Sequence, residues 1–161
     1  MTKQKIIFGG GCFWGVESIF HKTHGVLSAT SGYGGGHLKN PTYDAVCHGN
    51  TGHAEVVLVE FDDKKISYEE LVDLFFRLHD PTEFHRQGFD VGPQYRSCIF
   101  TFDDTQLQTA IAIKQRVQKY FDKDITTEIL PFSNFTPAED YHQGYVEKTG
   151  RACHAPRTKW E

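Results

Sequence analysis

The sequence predicts an α+β fold, with a layer of helices on a mainly antiparallel or mixed sheet. Two observations predict it. Strand-like and helix-like segments follow one another along 161 residues, with no internal repeat and no linker. A hydrophobic content of 39% and an aromatic content of 14% supply a core for one domain, residues 1–161, without disulfide staples. The formal net charge is −4 and no dense run of Lys or Arg occurs. Nucleic acid and anionic membranes are therefore poor candidate partners. No stretch is apolar enough for long enough to cross a bilayer.

The elements follow in order. Lys5–Phe8, "KIIF", is a short buried strand running into glycines. From Cys12 to about Thr23 the pattern is helical, with Phe13, Val16, Ile19 and Phe20 on one face. Trp14 falls about 100° off that stripe. Ser28–His53 is rich in Gly, Asn and Thr and reads as a long loop, of the kind that is usually functional. Ala54–Phe61, "AEVVLVEF", is the clearest strand. Ser67 opens a helix with capping-box spacing to Glu70, its apolar face is Leu71, Leu74, Phe75 and Leu78, and Pro81 stops it. Phe84–Gln94 is irregular and Tyr95–Phe102 is a strand. Asp104–Phe121 is a helix with Leu107, Ala110, Ile111, Val117 and Phe121 inward, and Ile125–Leu130 is a strand. Ala138–Gly150 is a short helix that frays into a flexible tail from about residue 144. The opening residues are not those of a secretory signal, so a cytosolic, and hence reducing, setting is expected.

The four cysteines, Cys12, Cys47, Cys98 and Cys153, lie far apart and form neither C-x-x-C nor a zinc-ligand pattern. No metal is called for. Cys12 sits where a strand hands over to a helix, and unpaired N–H groups and the helix dipole there favour a thiolate. It is either a nucleophile or a small buried residue. Beside it, Phe13 belongs in part to the core, and Trp14 suits the wall of an apolar pocket. Glu55 shares a strand face with Val57, Val59 and Phe61. Aimed into apolar surroundings it would hold its proton and serve as a general acid; its place at a strand end favours a solvated carboxylate instead. Tyr43 and Tyr95 are loop-end phenols, either packing groups or hydrogen-bond donors to an oxyanion. Asp90 either orients a neighbour or caps a turn, and His53 is a base or a strand-entry residue. Cys98 alternates with Phe100 and Phe102 and reads as core, whereas Cys47 is ambiguous. Cys153 follows the last helix, free either to reach another thiol or to stay idle and exposed.

Four blocks, "GGGCFWGVE", "NPTYDAVCHGNTGHAE", "HDPTE…RQGFDVGPQYRS" and "TTEI…F…AEDYHQ", occur in this order between Ile6 and Gln143. In them the chain resembles the peptide-methionine (S)-S-oxide reductases, the thiol enzymes that repair one epimer of methionine sulfoxide. The resemblance implies a two-layer sandwich of ferredoxin-like plait type. It makes Cys12 the nucleophile, Phe13 and Trp14 the pocket for the substrate methyl, and Glu55 the acid that protonates the sulfoxide oxygen. Tyr43 and Tyr95 become the phenols that bind that oxygen, and Asp90 an acidic member of the same pocket. Cys153 resembles the single resolving cysteine of the shorter members, since "RACHAPR" lacks the glycine-rich tail with two cysteines. Thioredoxin is the implied reductant, free and protein-bound methionine sulfoxide the substrates, and no cofactor is implied. A monomer is expected. The competing readings are a thiol peroxidase and a non-enzymatic ferredoxin-like binding module.

Overall fold

The computed structural model describes residues 3–150. Its first strand, β1 (Lys3–Gly9), leads into helix α1 (Phe13–His21), and strand β2 (Val26–Gly34) returns to the short helix α2 (Tyr43–His48). Strand β3 (Ala54–Asp62) and helix α3 (Tyr68–Leu78) follow, then a two-residue hairpin of β4 (Arg86–Gln87) and β5 (Asp90–Val91). Strand β6 (Cys98–Thr101), helix α4 (Asp104–Val117), strands β7 (Glu128–Pro131) and β8 (Phe135–Pro137) and helix α5 (Tyr145–Thr149) complete the order. Six strands form one sheet in the order β7-β6-β1-β3-β2-β8. Every pair is antiparallel except β6 with β7, whose parallel pairing is made possible by the α4 crossover.

Strand alternation builds both faces. Ile6 and Phe8 of β1, Val57, Val59 and Phe61 of β3 and Ile99 of β6 meet Phe13, Val16 and Phe20 of α1 and Leu71 and Phe75 of α3 in the main core. Ile7, Ala54, Val56, Cys98 and Phe100 form a smaller cluster on the opposite face. The capping box at the head of α3 is complete: Glu70 N–H donates to Ser67 Oγ and Ser67 N–H to Glu70 Oε1.

Three differences from the sequence reading have physical causes. The first part of the long "loop", Ser28–Gly34, belongs to β2, whose small residues hide it as a strand. A Cβ on Gly32 would lie 2.5 Å from the Phe135 ring and from the Thr136 carbonyl oxygen, so the close approach of β8 requires glycine there. The loop also holds α2, with Thr42 Oγ1 accepting the Ala45 N–H, a helix too short to show periodicity. The buried face of α4 is Gln106, Ala110, Ile113 and Val117. Gln106 displaces Leu107 from that face because its amide serves two backbone groups, accepting from Phe102 N–H and donating to Lys5 O. Beyond Gly144, where the reading begins a tail, α5 packs on α1, with the Tyr145 ring 3.8 Å from that of Trp14.

Candidate active site

The glycines before Cys12 bring three elements together. A Cβ on Gly9 would fall 2.6 Å from Cys98 Sγ and 3.1 Å from the Glu55 carbonyl oxygen, so β1 can lie against β3 and β6 only with no side chain there. Gly11 adopts φ +95°, which turns the chain from β1 into α1. Cys12 is then the N-cap of α1 and is 7% exposed. Its side chain makes no capping bond.

The first N–H of α1, that of Phe13, donates to Glu55 Oε1 at 3.1 Å. Glu55 is 1% exposed, which corrects the solvated reading that a strand end suggests. β3 is covered by α1 and by the turn at Pro93–Tyr95, so even its first residues are interior. Burial, with the nearby charge of Asp90 adding to it and the Phe13 N–H opposing it, raises the carboxyl to about 8. At neutral pH Glu55 holds a proton.

The two candidate phenols share this neighbourhood. The hydroxyls of Tyr43 and Tyr95 are both pushed well above the usual phenol range, by burial first and then by the charge of Glu55. Asp90 acts on both Tyr95 and Glu55. Tyr43 stacks on Phe13 with ring centroids 6.4 Å apart. Cys12, Phe13, Glu55, Tyr43, Tyr95 and Asp90 thus come from α1, β3, the start of α2 and the segment 90–95 to one place. Trp14 stands beside them on α1, half-buried against the core.

Several residues that build this site carry no role in the sequence reading. His142 is 1% exposed and its ring lies 4.4 Å from Tyr43 and 5.1 Å from Phe13. Trp14 Nε1–H donates to His142 Nδ1 at 2.9 Å. An indole N–H can only donate, so a neutral His142 carries its proton on Nε2. That atom is buried and has no hydrogen-bond partner among the described residues. Burial holds His142 below the usual imidazole range and so keeps it neutral, against a smaller opposing effect of Glu139. Glu139 accepts from Tyr33 Oη–H at 2.7 Å and from the Tyr43 N–H at 3.0 Å, which fixes the head of α2. Gln143 bonds both backbone groups of Ser31, and buried Glu17 accepts the Gly144 N–H. The signal was present in "AEDYHQGY", where Glu139, His142 and Tyr145 recur every third residue.

His53 and Cys98 fall outside the site, whereas Cys47 borders it through Tyr43. Both ring nitrogens of His53 are engaged by the backbone, with Gly36 N–H at 3.2 Å and Leu38 O at 2.7 Å, so it pins a loop. Cys98 is fully buried and its thiol is pushed up to about 12 by burial. Cys47 is exposed on α2, hydrogen-bonded to the Tyr43 side chain, with its thiol raised by burial first. Cys153 lies outside the described residues.

The family model described as "Peptide methionine sulfoxide reductase" matches residues 4–160. This chain belongs to that family. A relative named peptide methionine sulfoxide reductase MsrA, from Acinetobacter baumannii strain AYE, is 53% identical over 145 residues, which cover 90% of this chain and 83% of that one. The reduced form of Mxr1 from Saccharomyces cerevisiae superposes with a TM-score of 0.91 at 37% identity, covering 97% of this chain and 91% of the other. Mxr1 from the same yeast in complex with Trx2 aligns with a TM-score of 0.67 at 30% identity, covering 97% and 89%. No helix among the described residues of this reductase is long and apolar enough to cross a membrane.

Proposed function

We infer that this chain is a thiol-dependent peptide-methionine sulfoxide reductase, recycled by thioredoxin, and that Cys12 and Glu55 carry its chemistry. The observation that carries the assignment of residues is the bond from Phe13 N–H to Glu55 Oε1. It sets a buried, protonated acid beside the helix start that bears the thiol.

A sulfoxide sulfur becomes electrophilic once its oxygen is protonated or strongly hydrogen-bonded. The Cys12 thiolate attacks the sulfur while Glu55 gives its proton to the oxygen. The phenols of Tyr43 and Tyr95 donate to that oxygen as charge gathers on it. Phe13 and Trp14 hold the methyl, and burial, with the charge of Asp90 adding to it, keeps the proton on Glu55 until it is needed. As Glu55 becomes a carboxylate, the Phe13 N–H already points at it, so the conjugate base is stabilised without rearrangement. The protonated oxygen then passes as hydroxyl from the methionine sulfur to Cys12 Sγ; the transient bond between the two sulfurs and the original sulfur–oxygen bond both break, so that methionine leaves reduced and Cys12 is left as a sulfenic acid. Cys153 condenses with it, releasing water and forming a disulfide that a dithiol reductant reopens by exchange. A thiol peroxidase would need no apolar slot beside the thiol. We read the framework β1-α1-β2-β3-α3-β6, with strand order β6-β1-β3-β2, as a ferredoxin-like plait.

Separate fixed sites for the methyl and the oxygen leave one face of sulfur open to Cys12, so only the S epimer should react. Incubation with racemic free methionine sulfoxide and a dithiol, followed by chiral separation, tests this. The S epimer should vanish and the R epimer remain. Equal consumption of both contradicts the arrangement.

A further inference from the structure

The hairpin that supplies Asp90 leaves large apolar side chains in water. Its register pairs Gln87 with Asp90 and Arg86 with Val91, so Gln87 and Asp90 share one face and Arg86 and Val91 the other. The inner face is polar: Gln87 is buried, with its side chain bonded to both backbone groups of Asp80 at 2.7 and 2.8 Å. The outer face carries Val91 beside the ion-paired Arg86, and the tip carries Phe89. Phe89 is fully exposed, Val91 is 64% exposed and Phe84, at the base, is 68% exposed. Half-buried hairpins normally turn their apolar side chains inward.

The arm that presents these side chains is pinned. Arg86 pairs with Glu83 at 3.1 Å, Gly88 N–H donates to Glu83 Oε1, and Arg86 Nη2 donates to the Gly88 carbonyl. Gly92 N–H closes the base on His85 O at 2.9 Å. Holding an apolar strip in water on a braced arm is unfavourable unless something covers it during function. Phe89 and Val91 flank Asp90 in the chain, and the charge of Asp90 acts on Glu55 and Tyr95, so the hairpin stands beside the catalytic pocket.

We propose that Phe89 and Val91, with Phe84, form a docking rim for the apolar side chains that flank an oxidised methionine in an unfolded segment of polypeptide. This rests on the reductase reading and names the class of polypeptide it prefers. Methionine is mostly a core residue, so a segment that carries it also carries other core-facing apolar side chains a few positions away. Oxidation makes it polar and disrupts the packing that hid those neighbours. A methionine side chain is short, so its flanking residues must lie on the pocket rim when the sulfoxide reaches Glu55. An apolar rim selects segments torn from cores over methionines oxidised on polar surfaces.

The test compares the full chain with the Phe89→Ser/Val91→Thr variant, both supplied with a small dithiol. The substrates are N-acetyl methionine S-sulfoxide, a peptide with the S-sulfoxide between leucines, and one with it between serines. Wild type should prefer the leucine peptide. The variant should lose about fivefold in kcat/KM on that peptide through KM, the scale for partly burying an aromatic side chain. The other two substrates should stay within about twofold of wild type, as they offer no apolar side chain to the rim. No preference in wild type, no loss in the variant, or equal loss on all three substrates overturns the rim. So does a rise in the KM for thioredoxin alone, which would give the strip to the reductant. A wild type inert on all three substrates sinks the reductase reading itself, and the rim with it.

Discussion

Glu55 and Phe89 both depart from the usual distribution of polarity, in opposite senses. Glu55 is a carboxyl sealed in the interior at 1% exposure, and Phe89 is an aromatic ring left wholly in water. They belong to one functional region, because Asp90, next to Phe89, acts on Glu55. The inner departure changes chemistry: burial turns a carboxylate into a proton donor. The outer one leaves the reacting atoms untouched and acts on what reaches them. The inner site should therefore act alike on every substrate, through kcat, and the rim should discriminate among substrates, through KM.

The sharpest way to break this division is at the thiol. Cys12→Ser should abolish reduction of free and peptide substrates equally while leaving the fold intact, as judged by circular dichroism and by turnover with a dithiol. Measurable turnover would move the nucleophile elsewhere.

Glu55→Gln should slow reduction on the order of 10²-fold, again on all substrates alike, because the proton donor is gone and the shape is kept. The wild-type rate should fall on the alkaline side of about 8, and that limb should be missing in the variant. The same carboxyl ties stability to pH. Its folded pKa of about 8 lies above the ordinary 4.5, so the native state holds a proton that the unfolded chain releases. Its stabilisation is complete below the ordinary value and is lost as pH rises through about 8. The slope reaches about 1.4 kcal/mol per pH unit between those limits. Urea unfolding of Glu55→Gln should show a shallower decline over that range; an unchanged decline would mean that Glu55 is ionised in the folded protein.

The smallest effect sharpens the boundary between the two regions. His142→Phe keeps a ring beside Phe13 and Tyr43 but removes the acceptor of the Trp14 N–H. The loss of one such bond, about 0.5–1.5 kcal/mol, predicts a two- to tenfold rise in KM for every substrate, including the free one. A rise confined to apolar peptides would place Trp14 in the rim and merge the two regions.

Residue type and spacing raised Cys12, Phe13 and Glu55 as candidates, because a strand–glycine–helix junction and a strand with clean alternation leave local signatures; the roles came from the resemblance, and the strand end favoured a solvated Glu55. The face of β3 occupied by Glu55 was legible, and its depth was not. Exposure at a strand end depends on which other elements cross there, and those elements lie far along the chain. β2 was hidden for a related reason: Gly32 and Ser31 are small because β8 and Glu17 approach them closely, and small residues read as loop. The three-residue spacing around His142 gives no role by itself, since its importance comes from Trp14, 128 positions away. The hairpin lay in view as "RQGFDV", yet alternation over so few residues tells neither face from the other.

The ends of the sheet bear on how this protein survives its own substrates. β7 and β8, the two outermost strands, are four and three residues long, and each finishes in a proline, Pro131 and Pro137. Short, proline-terminated borders offer few free backbone groups for another chain to zip onto. An enzyme that works among damaged, partly unravelled polypeptides meets sticky extended segments at every turnover. Blunted borders let it handle such segments one side chain at a time without being drawn into their aggregates.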